Sequence, residues 1–117
     1  MRLTEITYDA AKPIDGYGPG FFRIDGKLLH GACLITPWGA GAWGGFDDTA
    51  TPLALAGRID VLFIGMGAEI AHVPAAFRET LETAGIGVEV MNSPAAARTY
   101  NVLLSEGRRI AAALLPV

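Results

Sequence analysis

Apolar and polar positions change period several times along the chain, and each change marks an element. Residues 4–8 alternate as a short strand, whereas residues 9–20 carry two prolines and three glycines and read as a loop. Phe21-Phe22-Arg23-Ile24 and residues 27–36 flank Asp25-Gly26, a pair suited to the two-residue type I′ turn of a β-hairpin. In that register Ile24 opposes Lys27 and Phe22 opposes Leu29. One face then carries Phe22, Ile24, Leu29, Gly31, Cys33 and Ile35, and the other Arg23, Leu28 and His30. The glycine- and aromatic-rich residues 37–46 show no clean period; they read as a turn and a short strand around residues 42–44.

The second half is more regular. Thr51-Pro52 has the form of a helix N-cap followed by proline, opening a short helix that stops near Gly57. Residues 59–64 are apolar except for Asp60, the pattern of a strand covered on both faces. Pro74 opens a helix with the stripe Phe77, Leu81 and Ala84 opposite Glu79 and Glu82, and Gly85 closes it as a left-handed cap. Residues 86–115 then parse as strand, helix, glycine stop and strand, a βαβ crossover. On a helical wheel Arg98, Asn101 and Ser105 form a narrow polar stripe. Ala95, Ala96, Thr99, Tyr100, Val102, Leu103 and Leu104 sweep most of the remainder, so the wheel predicts a helix buried around most of its circumference. Glu106 falls in the apolar arc and beside the negative end of the helix dipole, where a carboxylate needs a partner. Arg98, Arg108 or Arg109 would supply one; the chemical alternative is a general base with a raised pKa.

Composition narrows the class. With 117 residues, 51% apolar and 18% charged, the chain is expected to form one folded domain. A net charge of −3 gives no footprint for a phosphate backbone, which argues against nucleic acid. The apolar run at residues 110–117 is far short of the ~20 residues of a membrane span. The first residues lack the pattern of a signal peptide, so a cytoplasmic protein without membrane insertion is expected. Cys33 is the only cysteine and cannot close an internal disulfide.

Candidate chemistry sits at the carboxyl ends of the parallel strands, where ligands settle in open α/β sheets. Gly65-Met66-Gly67 follows one such strand and Asn92-Ser93-Pro94 the next. With Ser93 as N-cap, the N–H groups of Ala95 and Ala96, with Arg98 and Asn101 beyond, would form a pocket for a small anion or carboxylate. The plainer alternative is that Ser93 only caps and Arg98 only pairs with an acid. Gly65-x-Gly67 is not a dinucleotide fingerprint, because Ile70 stands at the third glycine position. His30 and Cys33 face opposite sides of a strand, and His72 has only Glu69 nearby, so no metal or other cofactor is expected. No Gly-x-Ser-x-Gly elbow is present. Trp38 and Trp43 read either as a partner-binding patch or as ordinary packing aromatics.

These residues carry a resemblance that runs nearly end to end. Phe22-Arg23-Ile24-Asp25-Gly26, Pro37-Trp38-Gly39, Gly65-x-Gly67, residues 85–91, residues 96–103 and Glu106-Gly107-Arg108-Arg109 resemble the Mth938-like family, also known as DUF498, which includes an assembly factor of mitochondrial respiratory complex I. Met66 stands where relatives often have threonine, and Asn92-Ser93-Pro94 where many have an acid and a threonine. The resemblance implies an α/β domain of three layers, β/β/α: a mostly parallel central sheet, an antiparallel sheet, and helices on one side. It also implies a non-enzymatic accessory role through protein partners. The alternative is a small-molecule or anion-binding protein, or an unrecognised enzyme, using Gly65, Met66, Gly67, Ser93, Arg98 and Asn101.

Overall fold

The computed structural model describes residues 12–117; the strand expected at residues 4–8 lies outside them. Strands β1 (Ile14–Gly18), β2 (Phe21–Ile24) and β3 (Lys27–His30) form a small antiparallel sheet in that order. Asp25 and Gly26 both have positive φ (52° and 74°), as a type I′ turn requires, and the hairpin has the expected register, Ile24 against Lys27 and Phe22 against Leu29. Two boundaries differ from the sequence reading. β1 lies in the stretch read as a loop: Gly16 and Gly18 erase its side-chain alternation, and the Phe21 ring packs so closely on Gly18 that a Cβ there would sit 2.6 Å from it. Residues 27–36 form two strands, because Gly31 (φ 80°) turns the chain out of the small sheet. The facing survives that break, since Cys33 and Ile35 join Phe22 and Ile24 in one buried cluster.

The second sheet contains β4 (Cys33–Thr36), β5 (Gly39–Ala42), β6 (Val61–Met66), β7 (Gly87–Met91) and β8 (Ile110–Leu115), in the order β5-β4-β8-β6-β7. β6 runs parallel to β7 and β8, β4 antiparallel to β8 and β5 antiparallel to β4, so only β4 opposes the common direction. Helices α1 (Ala50–Leu53), α2 (Ala75–Thr83) and α3 (Ser93–Ser105) complete the fold. From β6 through α2 to β7 the chain steps outward, and from β7 through α3 to β8 it steps back past β6. Right-handed crossovers in opposite senses place their helices on opposite faces. α2 accordingly covers one face, where Phe77 and Leu81 meet Leu62, Ile64, Ala111 and Ala113. α3 shares the other face with the small sheet, where Tyr100 and Ala96 join Phe22, Phe63, Ala112 and Leu114. The result is the three-layer β/β/α arrangement, with α3 set beside the small sheet. Alanines on both sides, Ala111 to Ala113 in β8 and Ala96 and Ala97 in α3, let helix and sheet approach closely.

Several local expectations shift. β5 starts directly after the Pro37-Trp38 turn, three residues before the expected strand. α1 begins at Ala50, and Thr51 is not its cap; the Asp48 carboxylate accepts from the Thr51 N–H (3.1 Å) and hydroxyl (2.5 Å). The buried residues of α3 are Ser93, Ala96, Ala97, Tyr100 and Leu104, a single stripe, and Val102 is 55% exposed. The helix is therefore not buried around most of its circumference. Helix α3 ends at Ser105, so Glu106 serves as its C-cap in solvent, with no ion pair among the described residues. Arg109 instead lies 3.6 Å from Asp60 and donates to the Gly57 carbonyl at 2.9 Å.

Candidate functional site

The β6 terminus and the start of α3 do adjoin, and they are stitched together. The Gly67 N–H donates to Ser93 Oγ at 2.9 Å, the Ser93 hydroxyl donates to the Leu115 carbonyl at 2.6 Å, and the Ser93 N–H donates to the Gly67 carbonyl at 2.7 Å. Ser93 is fully buried, and these bonds satisfy the polar groups that burial takes from water. The N-cap is Asn92, whose Oδ1 accepts from the Ala95 N–H at 2.8 Å and whose carbonyl accepts from the Ala96 N–H at 2.9 Å. Both amide groups considered for an anion are thus engaged within the helix start. Gly65 leaves no space either: a Cβ there would stand 2.6 Å from Ser93 Oγ and 2.8 Å from Ser93 Cα.

The other candidates point elsewhere. Arg98 is exposed, and Met66 packs against the cluster on the opposite side of the sheet. Asn101 receives the Ile14 N–H at 2.8 Å and donates to the Ile14 carbonyl at 2.9 Å, so its amide acts as a strand-like partner that holds β1 to α3. Gly65, Gly67 and Ser93 are brought together; Arg98 and Asn101 are not. Titration with phosphate, sulfate or acetate should leave the amide resonances of residues 65–67 and 93–98 unmoved, and saturable shifts at both loops would show an anion site. Asn-Ser-Pro itself carried the missed signal, since asparagine ahead of proline within the first helical turn is as good a cap as serine.

Two buried titratable groups lie in the core between α3 and the sheets. Burial pushes the Cys33 thiol up to about 12, which keeps it protonated and unreactive, and burial raises the Tyr100 hydroxyl likewise. A group with a raised native pKa contributes stability that is intact below its unfolded pKa and is lost as pH climbs toward the native one. Stability should therefore fall from about pH 9 upward, and Cys33→Ala should remove the first part of that decline in urea melts; an unchanged slope between pH 9 and 10 would assign it to other groups. Tyr100 has a second property: its hydroxyl is buried without a hydrogen-bond partner among the described residues. Tyr100→Phe removes that desolvated group and keeps the ring, so it should stabilise the protein by about 1 kcal/mol in urea unfolding. A loss of similar size would reveal a partner for the hydroxyl.

Open surface is found away from the helix start. Trp43 is buried, its indole N–H donating to the Asp48 carbonyl at 3.0 Å and its ring edge-on to Phe46. Trp38 is 41% exposed, with the Arg58 guanidinium 4.1 Å above its ring. Trp38 borders a groove of about 240 Å³ between the β2–β3 hairpin and the β4–β5 turn, with Ile24, Leu29 and Ile35 as its floor and Lys12 and Lys27 among its walls. The two tryptophans read together in the sequence therefore serve separate ends, one core and one surface. Sequence alone did not associate Lys27 and Arg58 with Trp38, because 11 and 20 positions separate them along the chain. Among the described residues no helix is long and apolar enough to cross a membrane.

Fold and surface together define a small β/β/α domain in which a buried serine ties the ends of β6 and β8 to the start of α3. The chain belongs to the family of proteins of unknown function DUF498/DUF598, whose model matches residues 14–115, and it has the Mth938-like fold. It is 56% identical to an uncharacterised protein of Rhodobacter capsulatus over 117 residues, covering all of this chain and 94% of that protein. It is 36% identical to NADH dehydrogenase [ubiquinone] 1 alpha subcomplex assembly factor 3 of Danio rerio, across 99% of this chain and 71% of that one. The solution structure of a Mth938-like domain from Bordetella pertussis superposes with a TM-score of 0.75 at 29% identity, covering 92% of this chain and 87% of the other.

Proposed function

We infer that this protein is a non-enzymatic accessory factor that acts through contacts with other proteins in the assembly of a respiratory NADH dehydrogenase, from the cytoplasm. The observation that carries this reading is the likeness to the vertebrate assembly factor, which spans the whole of this chain and not one shared motif. The geometry agrees with it. Ser93 ties the ends of β6 and β8 to α3, and the exposed surface includes Trp38 and, among the described residues, the unpaired edge of β5, features that suit protein contact. No observation favours the second reading, a small-anion pocket at residues 65–67 and 93–98, whose amide groups are already bonded. Affinity capture of the tagged chain from its own organism, under native conditions, should enrich subunits or assembly intermediates of the NADH dehydrogenase. Capture of none of them, at expression levels that recover the tagged chain itself, would refute the reading.

A further inference from the structure

The geometry points to the groove beside Trp38 as the seat of an extended acidic segment of a partner protein, added as a strand along the outer side of β5. This rests on the reading of the chain as a protein-binding factor and names its contact surface. β5 is an edge strand, and its backbone groups can be assigned. The Trp43 N–H donates to the Ala32 carbonyl at 3.0 Å, which makes Ala32 and Trp43 a bonded pair in the β4–β5 ladder. Bonded pairs recur every second residue, so Leu34 with Gly41 and Thr36 with Gly39 are bonded as well. The N–H and C=O groups of Ala40 and Ala42 are then directed away from β4, and among the described residues no strand pairs with them.

Natural edge strands are guarded by charge, proline or bulges. β1 carries Asp15 and a bulge, β3 carries Lys27, and β7 carries Glu89, whereas β5 reads Gly-Ala-Gly-Ala and has no guard. Side chains no larger than methyl also allow another backbone to lie close. In an added strand alternate side chains point to one side, and here that side has the apolar floor of Ile24, Leu29, Ile35 and Trp38. The occupant's charge follows from the walls. Among the described residues, Lys12 and Lys27 in the walls and Arg58 over Trp38 stand against Asp25 in the groove and Asp15, which accepts from the Gly26 N–H at 3.4 Å, a local positive excess on a chain of net charge −3.

The test uses the full chain and two synthetic decapeptides, one alternating valine with glutamate and one alternating valine with lysine. In NMR titrations the acidic peptide should bind saturably and shift the amide signals of Ala40 and Ala42, and the basic peptide should not. Lys27→Glu, on the exposed hairpin, should weaken the acidic peptide at least about tenfold. Ala40→Pro, with folding checked by its melting curve, should abolish the strand addition. Equal binding of both peptides, no binding, or binding untouched by Lys27→Glu would overturn the proposal. So would a dimer that Ala40→Pro dissociates, which assigns the edge to a second copy, or binding seen only after deletion of residues 1–11, which assigns it to the chain's own N-terminus. If native capture recovers dehydrogenase subunits equally with wild type and Lys27→Glu, the groove is excluded while the assembly role stands.

Discussion

Ser93→Ala is expected to lower the free energy of unfolding by about 2–4 kcal/mol, because it strips partners from two backbone groups buried beside a fully buried side chain. The Gly67 N–H loses its acceptor and the Leu115 carbonyl loses its donor, and the alanine methyl can replace neither. Against a typical net stability of ~5–15 kcal/mol, that is a large fraction from one oxygen atom. Urea unfolding monitored by far-UV circular dichroism measures it directly. A change below about 0.5 kcal/mol would mean that water replaces the hydroxyl and that the strand ends are open after all.

Gly65→Ala should be at least as damaging, about 3 kcal/mol or more, for a steric reason. Gly65 has no positive φ, so its glycine is required by proximity and not by backbone conformation. Its missing Cβ is what allows α3 to begin against β6: the new methyl would meet Ser93 Cα at 2.8 Å and Leu114 Cδ2 at 2.8 Å. A flexible side chain could yield, but Ser93 Cα belongs to the helix backbone. Ser93→Ala should therefore not rescue Gly65→Ala. Rescue in the double variant would show that the hydroxyl, and not the helix backbone, is the obstacle.

The two residues explain why the site was half legible from sequence. Gly65-x-Gly67 and Asn-Ser-Pro mark the ends of neighbouring strands, and the parallel crossover brings them together, as read. Patterning cannot tell a glycine that admits a ligand from one that admits a neighbouring helix, because both demand an absent side chain. The same limit applies to Asn101, which the wheel places on a polar stripe. Its amide is polar because it satisfies the backbone of Ile14, a residue 87 positions away that sat in a presumed loop. Fold class was more accessible, since β6 and β8 are apolar on both faces and the Asp25-Gly26 hairpin fixes its own register. Glycine hid the rest: Gly16 and Gly18 obscured β1, and Gly31 divided one apparent strand between two sheets.

The buried Ser93 bridging Gly67 and Leu115, and the exposed Trp38 beside the β5 edge, support the proposal that this chain acts through its surface. We propose that this surface serves the assembly of an NADH dehydrogenase, on the likeness to the Danio rerio assembly factor. Deleting the gene and resolving the respiratory complexes on native gels tests this most directly. Loss of the assembled NADH dehydrogenase with accumulation of subcomplexes, restored by the wild-type chain and by Arg98→Ala but not by Lys27→Glu, is the expected result. Normal levels of the assembled enzyme in the deletion strain would contradict it.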